Sequence, residues 1–261
     1  MQDQQLRLEA LARDLADAWR EGRAIPLPSA GHGATTRAEA YAVQDRVAAL
    51  IGGKVVGWKV GATVRPVQLM DGHDGPLPGR IFADRCFDSP ARIRSDLFQG
   101  VKVECEFAFR LTQALQTCST PDEIAGLLTF HPAFELAGSR YAPGTGDRSP
   151  GTFDGIADNG SGVAAVLGAA VEDWRGLPFE TMEIEAWIDE ALPIQMFTGP
   201  YRRDPLEIAA ETFSALRARG VDLPAGTCVL TGSLSLPTPM QRGQTITARF
   251  PGASTIILTL T

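Results

Sequence analysis

Two acids two residues apart, Glu104 and Glu106, are the first residues in this chain whose type and spacing could do chemistry. Around them Val101, Val103, Cys105, Phe107 and Phe109 alternate with Lys102, Glu104, Glu106, Ala108 and Arg110. That period of two predicts a β-strand with one apolar face on a core and one polar face. Side chains at i and i+2 lie roughly 6–7 Å apart at the strand rise of about 3.3 Å per residue. Two carboxylates that close repel, and a cation, a shared proton or a nearby Lys or Arg must offset the repulsion. A hard divalent ion such as Mg²⁺ takes oxygen ligands and is one answer. A solvated strand face with Lys102 and Arg110 as partners is the other.

Further polar residues stand where the pattern predicts strands or strand ends. Lys59 is framed by Gly57 and Gly61 in a segment, 55–61, that is otherwise apolar apart from Trp58. A lysine there either snorkels to solvent or sits where flanking glycines let a ligand or backbone approach. Glu135 lies within Ala133-Phe134-Glu135-Leu136. Asp158-Asn159-Gly160-Ser161-Gly162 is a turn signal before an apolar run, and Thr231-Gly232-Ser233 follows an apolar strand.

Taken in order, Glu-x-Glu, a Glu about thirty residues on, Asp-Asn-x-Ser and Thr-Gly-Ser resemble the fumarylacetoacetate hydrolase superfamily. Within it the chain resembles the 2-keto-4-pentenoate (2-hydroxypentadienoate) hydratase and 4-oxalocrotonate decarboxylase branch. Ala40-Tyr41-Ala42-Val43-Gln44, Gly57-Trp58-Lys59-Val60-Gly61, Phe82-Ala83-Asp84 and Pro132-Ala133-Phe134-Glu135 extend the match over roughly residues 36–250. The resemblance implies an α+β fold, a twisted mixed β-roll or distorted barrel with a small helical N-terminal lobe. It implies Mg²⁺ or Mn²⁺ on Glu104, Glu106 and Glu135. It places Lys59 and Asp84 over the substrate and Ser161 at the substrate's oxo-acid end. Gln68, Asn159, Thr231 and Ser233 complete the expected substrate contacts. The segment 65–76, where the substrate's distal end would be read, and the tail 234–239 depart from the usual hydratase wording.

The chemistry of such a site can be argued from its groups. Three carboxylates around one divalent ion leave positions open. A 2-oxo acid offers two adjacent oxygens to such an ion, which acts on the ketone as a Lewis acid. Negative charge developing on an enolate oxygen then falls beside the cation, and a neighbouring lysine can move a proton. Hydration of a 2-oxo- or 2-hydroxy-dienoate, as in aromatic-compound catabolism, is the first expectation. A 4-oxalocrotonate-type decarboxylation, an acylpyruvate-type C–C hydrolysis and a non-catalytic scaffold are the alternatives. His32 and His73 are the flexible histidines that could activate water, and His131 could support Glu135 from behind.

The rest of the composition narrows the classes. The chain has 261 residues, is 44% hydrophobic and 21% charged, and carries a net charge of -7. No Lys/Arg cluster provides the basic patch that nucleic-acid binding needs. Four cysteines, Cys86, Cys105, Cys118 and Cys228, form no C-x-x-C pair and read as reduced, mostly buried thiols. The polar N-terminus has no apolar leader, and no run approaches the ~18 apolar residues of a membrane helix. A cytoplasmic enzyme with a small-molecule 2-oxo acid substrate is expected. It should be a homo-oligomer, because a large β-structure leaves apolar edges to cover.

The elements that must position these residues follow from period and caps. Residues 5–20 predict an amphipathic helix. Thr36-Arg37-Ala38-Glu39 caps a second helix to about Leu50, stopped by Gly52-Gly53. These make a helical lobe over 1–53, followed by a β-rich catalytic domain over 54–261. Within the latter, 62–79 reads as a loop or broken helix, 81–83 as a short strand, and Thr120-Pro121-Asp122-Glu123 caps a helix to Leu128. Residues 131–136 read as a strand and 142–162 as a long surface loop. Residues 181–189 and 192–197 read as two more strands. Asp204-Pro205 caps a helix ending near Gly220, and 227–231, 244–250 and 254–260 are β-rich.

Overall fold

The computed structural model describes residues 2–117, 120–145 and 147–261, so Cys118 lies outside the described residues. The chain runs α1 (Gln2–Glu21), α2 (Arg37–Ile51), β1 (Val55–Gly61), α3 (Arg65–Asp71), β2 (Leu77–Phe82), β3 (Cys86–Asp88), β4 (Ala91–Ile93) and β5 (Val101–Leu111). It continues with α4 (Pro121–Ala125), β6 (Leu128–Ala137), α5 (Thr152–Ala157), β7 (Gly162–Leu167), β8 (Glu185–Ile188) and α6 (Pro205–Ala218). It closes with β9 (Cys228–Ser233), β10 (Thr238–Met240), β11 (Thr245–Arg249) and β12 (Ile256–Leu260).

The alternation around Glu104 does form a strand, and β5 is the centre of the fold. It pairs antiparallel with β6 over its full length, and also with β9 and β10. The larger sheet has the order β2-β1-β9-β5-β6-β7-β3, and a smaller one the order β4-β12-β11-β8. The apolar face of β5 looks toward the small sheet. Phe107 and Phe109 meet Phe130, Phe179 and Trp174 edge-on or tilted, with ring centroids 4.9–6.0 Å apart. Offset and edge-on pairs suit the quadrupoles of the rings. Ile246, Ala248, Ile256 and Leu258 of the small sheet are fully buried against this cluster. The opposite face of β5 is enclosed at its middle, where Glu106 and Ala108 are 0% exposed, while Glu104 and Arg110 are half-buried and Lys102 is exposed. The reading of that face as solvated therefore fails at its centre, where the curled sheet covers the strand, and holds only toward its ends.

The α+β class holds, but the sheets are open, and no barrel closes among the described residues. A side chain bridges the edge where closure would occur. Asn159 Oδ1 accepts from the Arg80 N–H of β2 at 2.7 Å, and Asn159 Nδ2 donates to the Arg80 carbonyl at 3.0 Å and to the Gly162 carbonyl at 3.3 Å. One amide thus mimics a strand partner for the edge of β2.

The helical N-terminal region packs directly onto this framework. Leu11, Leu15, Val43 and Val47 share a core with Ile25, Leu27, Tyr141 and Ala157, and the buried amide of Gln44 donates to the carbonyls of Pro78 and Ile156 at 2.8 Å each. Several predicted elements differ from those observed. The Thr120 capping box is complete, but its helix ends at Ala125, because Leu128 already begins β6. Residues 192–197 form no strand, only a bridge from Met196 to Ser235. The stretch 142–162 is a surface loop only in its first part: 152–157 form α5, and Asp158, Asn159 and Gly160 are buried. Its polarity misled, because those polar groups are satisfied internally.

Asn159→Ala strands a backbone donor and acceptor of β2 and leaves a residue with a side chain at φ 55. Denaturant unfolding should show a loss of about 2–4 kcal/mol. A loss near zero would mean that water replaces the amide.

Candidate metal and substrate site

Register brings the three acids together. Glu104 of β5 stands directly opposite Glu135 of β6, and directly opposed residues share a face with Cβ atoms roughly 5 Å apart. Glu106 is the next residue on that face. Oxygens of all three lie within 4.8 Å of one another. Glu106 and Glu135 are 0% and 2% exposed, while Glu104 is half-buried at the edge of a cavity.

Lys59 reaches this cluster from three strands away. In a flat sheet β1 and β6, separated by β9 and β5, would lie about 14 Å apart. Lys59 Nζ nevertheless sits 3.0 Å from Glu135 Oε1, so the sheet is curled and its concave side chains converge. The lysine stem runs over Gly162, where an added Cβ would come 2.9 Å from Lys59 Cε. The glycines flanking Lys59 do less than expected. Gly57 makes room for Cys228 of β9, at 2.3 Å from an added Cβ, and not for a ligand.

The "strand end" Thr231-Gly232-Ser233 is a bulge. Pairing with β5 shifts between Glu106/Ser233 and Ala108/Leu230. The extra residue lets Gly232, at φ 103, donate its N–H to Glu106 Oε2 at 2.8 Å. Bulges are used in this way to re-aim groups beside sites.

The electrostatics are those of crowded anions. Burial, and then the charge of Glu135, pushes Glu104 up to about 7. Burial and both neighbouring acids push Glu106 well above the ordinary carboxylate range. Burial pulls Lys59 down, but Glu135, Glu104 and Glu106 outweigh it and hold the ammonium above its usual value. One oxygen each of Glu106 and Glu135 has no hydrogen-bond partner; Lys59 neutralises the latter by proximity only. Three carboxylates, among them Glu106 with an unpartnered buried oxygen, form an all-oxygen donor set that fits a hard divalent cation.

These groups form one end of a cavity of about 780 Å³, where Lys59, Glu104, Glu135, Gly160, Ser161 and Ser233 contribute to the wall. Ser161 thus lines the same cavity as the acids. It is held at φ 58 in the left-handed turn of Asn159, Gly160 and Ser161. Arg140, which sequence reading missed, holds that turn. It pairs with Asp158, both nearly fully buried, and donates to the carbonyls of Asp158 and Gly162. Ser139 Oγ and the Arg140 N–H donate to the same carboxylate at 2.8 and 2.9 Å. An arginine just past an apolar strand was the only available signal.

Other expected site residues lie elsewhere. Asp84 is exposed in the turn after β2, its carboxylate 3.8 Å from Arg85. Gly79 pairs with Lys59 and Phe82 with Val55, so Asp84 lies beyond a strand end that is itself about 13 Å from Lys59 at 3.3 Å per residue. Gln68 does not line the cavity; its amide donates to the carbonyl of Ala62, a left-handed residue at φ 53, and so secures the start of α3. Asn159 is the sheet bridge. Thr231 Oγ1 donates to the Phe107 carbonyl at 3.1 Å and braces the bulge. His32 is exposed. His131 is buried but bonds Gly168 O at 2.8 Å and Thr129 Oγ1 at 3.1 Å, not Glu135. His73, with Asp71, does line the cavity; Asp71 was not foreseen.

The fold and this constellation have known counterparts. No family model matches the chain. A 2-keto-4-pentenoate hydratase from Paraburkholderia xenovorans (strain LB400) is 28% identical over 226 residues, 84% of this chain and 81% of that protein. The 4-oxalocrotonate decarboxylase from Pseudomonas putida G7, solved with magnesium and adipate, superposes with a TM-score of 0.82 at 22% identity, covering 98% of each chain. Fumarylpyruvate hydrolase from Pseudomonas aeruginosa, solved with Mn²⁺ and pyruvate, gives 0.53 at 14% identity, over 78% of this chain and 88% of that one. The fold is that of the fumarylacetoacetate hydrolase superfamily. Proteins named 2-keto-4-pentenoate hydratase and 4-oxalocrotonate decarboxylase are homologues of the chain.

The raised acids set a pH dependence. A carboxyl whose folded pKa exceeds its unfolded value favours the folded state below the unfolded pKa, and that contribution is lost as pH rises through the folded one. For Glu104 the window runs from 4.5 to about 7. Metal-free protein should lose thermal stability across that window. The increase in Tm on adding Mg²⁺ should grow over the same range, because only ionised carboxylates hold the cation. A Mg²⁺ effect independent of pH would contradict this.

Proposed function

We propose that the protein is a divalent-metal-dependent lyase that adds water to a 2-oxo- or 2-hydroxy-dienoate of the 2-keto-4-pentenoate kind. One observation carries the reading: Glu104, Glu106, Glu135, Lys59 and Ser161 converge at one end of a cavity, in a chain homologous to such hydratases over most of its length. We assign Glu104, Glu106 and Glu135 as the metal ligands and Mg²⁺ as the ion, with Mn²⁺ as an alternative. When bound, the ion supplies Lewis-acid polarisation of the 2-oxo group. Lys59 Nζ moves a proton to or from the substrate, as a buried ammonium close to the acid cluster can. Ser161 Oγ donates to the substrate's oxo-acid end, and Ser233 lines the same pocket. Asp84, exposed and remote, has no part in this assignment. We keep the division into a helical region over 1–53 that buttresses the site and a catalytic region over 54–261.

Decarboxylation of a 4-oxalocrotonate-like acid is the second reading, favoured by the likeness to the decarboxylase over 98% of both chains. Loss of conjugation measured by ultraviolet absorbance registers both reactions, and only decarboxylation releases CO₂. Turnover without CO₂ supports the hydratase; stoichiometric CO₂ supports the decarboxylase. We further assign the enzyme to the cytoplasm as a homo-oligomer. Sedimentation at micromolar concentration should give a species larger than the 27.9 kDa chain, and a monomer would refute this.

Lys59→Met should retain the fold and Mg²⁺ binding but lose about 10²–10⁴ in kcat, the usual scale for a general acid/base. Near-normal kcat with a depressed melt would make Lys59 a structural counter-charge. Glu106→Ala should abolish calorimetric Mg²⁺ binding, and unchanged binding would remove Glu106 from the ligand set.

A further inference from the structure

The acid cluster occupies one end of the cavity, and the rest of the wall has a different character. The chain leaves β1 two residues after Lys59 and turns through Ala62 into α3, from which Val64, Val67 and Met70 line the cavity. Phe197 and Pro237 line it too. Phe197 is buried and stacks on Tyr201, centroids 5.6 Å apart and planes 18° from parallel. The 3-10 turn Gly199–Tyr201 packs against α3 in turn, which sets Phe197 and α3 on neighbouring parts of the wall.

Charge in the lining is distributed unevenly. Among the described residues, no arginine lines the cavity. Lys59 is committed to Glu135. Lys102 stands two residues before Glu104 on the same face of β5, and its charge acts on Glu104, so it belongs to the acid end. The charged side chain that α3 itself contributes is an acid, Asp71.

We infer that this wall selects substrates whose distal end is an uncharged hydrocarbon group and rejects those ending in a second carboxylate, with Val67, Met70 and Asp71 as the specificity-determining residues. The inference rests on the proposed function, since it takes the 2-oxo-acid end to sit at Glu104, Glu106 and Glu135. A terminal carboxylate would lose water against Val64, Val67 and Phe197 with Asp71 at the exposed rim and only the imidazole of His73 beside it, whose charged form burial disfavours. A hydrocarbon end gains from burial there. At about 780 Å³ the cavity also has room for more than a five-carbon acid.

The test uses saturated 2-oxo acids, which bind but have no alkene to hydrate, on the full-length protein with saturating Mg²⁺ in a calorimeter. 2-Oxohexanoate and 2-oxoadipate have the same six-carbon skeleton and differ by one terminal carboxylate. 2-Oxohexanoate should bind at least tenfold more tightly, and the series 2-oxobutanoate, 2-oxohexanoate, 2-oxooctanoate should tighten about fourfold per methylene. Val67→Arg, on a helix with no buried residue, should keep its melting temperature and Mg²⁺ affinity while reversing the preference between the six-carbon pair. Equal or tighter binding of 2-oxoadipate by the wild-type protein would overturn the inference alone, and loss of that binding in Lys102→Ala would identify Lys102 as the distal cation. Failure of every 2-oxo acid to bind while Mg²⁺ still binds would overturn the proposed function and this inference with it.

Discussion

Three carboxylates held within 4.8 Å of one another are the constraint around which the structure is arranged. At an effective dielectric of 20, each pair at that distance repels by about 3–4 kcal/mol. Lys59 supplies one positive charge against three negative ones, so the fully ionised group carries -2. The protein can relieve that charge in two ways: by raising the acids' pKa values, as it does for Glu104 and Glu106, or by taking up a divalent ion. The two routes compete, which makes proton and metal occupancy alternative states of one cluster.

Holding such a cluster requires a scaffold that does not relax. Glu104 and Glu135 are fixed by a ten-pair antiparallel ladder between the two longest strands. The apolar face of that ladder is locked by the aromatic cluster between the sheets. Curling brings Lys59 across, and the close approach of Gly162 leaves its stem one path. The bulge at Gly232 gives Glu106 a fixed N–H donor, and the Arg140–Asp158 pair fixes the backbone that carries Ser161. Each device removes a freedom by which the acids could separate.

The sequence displayed part of this. Strict alternation revealed β5, and the two-residue spacing put Glu104 and Glu106 on one face. Glu135 could be joined to them only by resemblance, because strand register depends on a partner forty residues of context cannot specify. Lys59 was picked out by its glycines, yet the glycine that shapes its path is Gly162, distant in sequence and close in space. Asp84 was misplaced because a motif carries no information on which end of a strand faces the site. The buried turn at 158–161 looked like a surface loop, since polar residues that bond one another inside have the same composition as those that bond water. Arg140 gave almost no signal, for the same reason.

The two ends of the cavity are built by different physics. The acid end lies on paired strands with almost no exposed surface, and any change there disturbs both charge balance and core. The other wall is carried largely by α3, a two-turn helix with no buried residue, capped by backbone groups and one amide from Gln68. Substitutions on such a helix alter the wall while leaving most folding energy untouched, because little apolar area is buried there. The acid-and-lysine end is thus energetically insulated from changes to the wall that α3 carries.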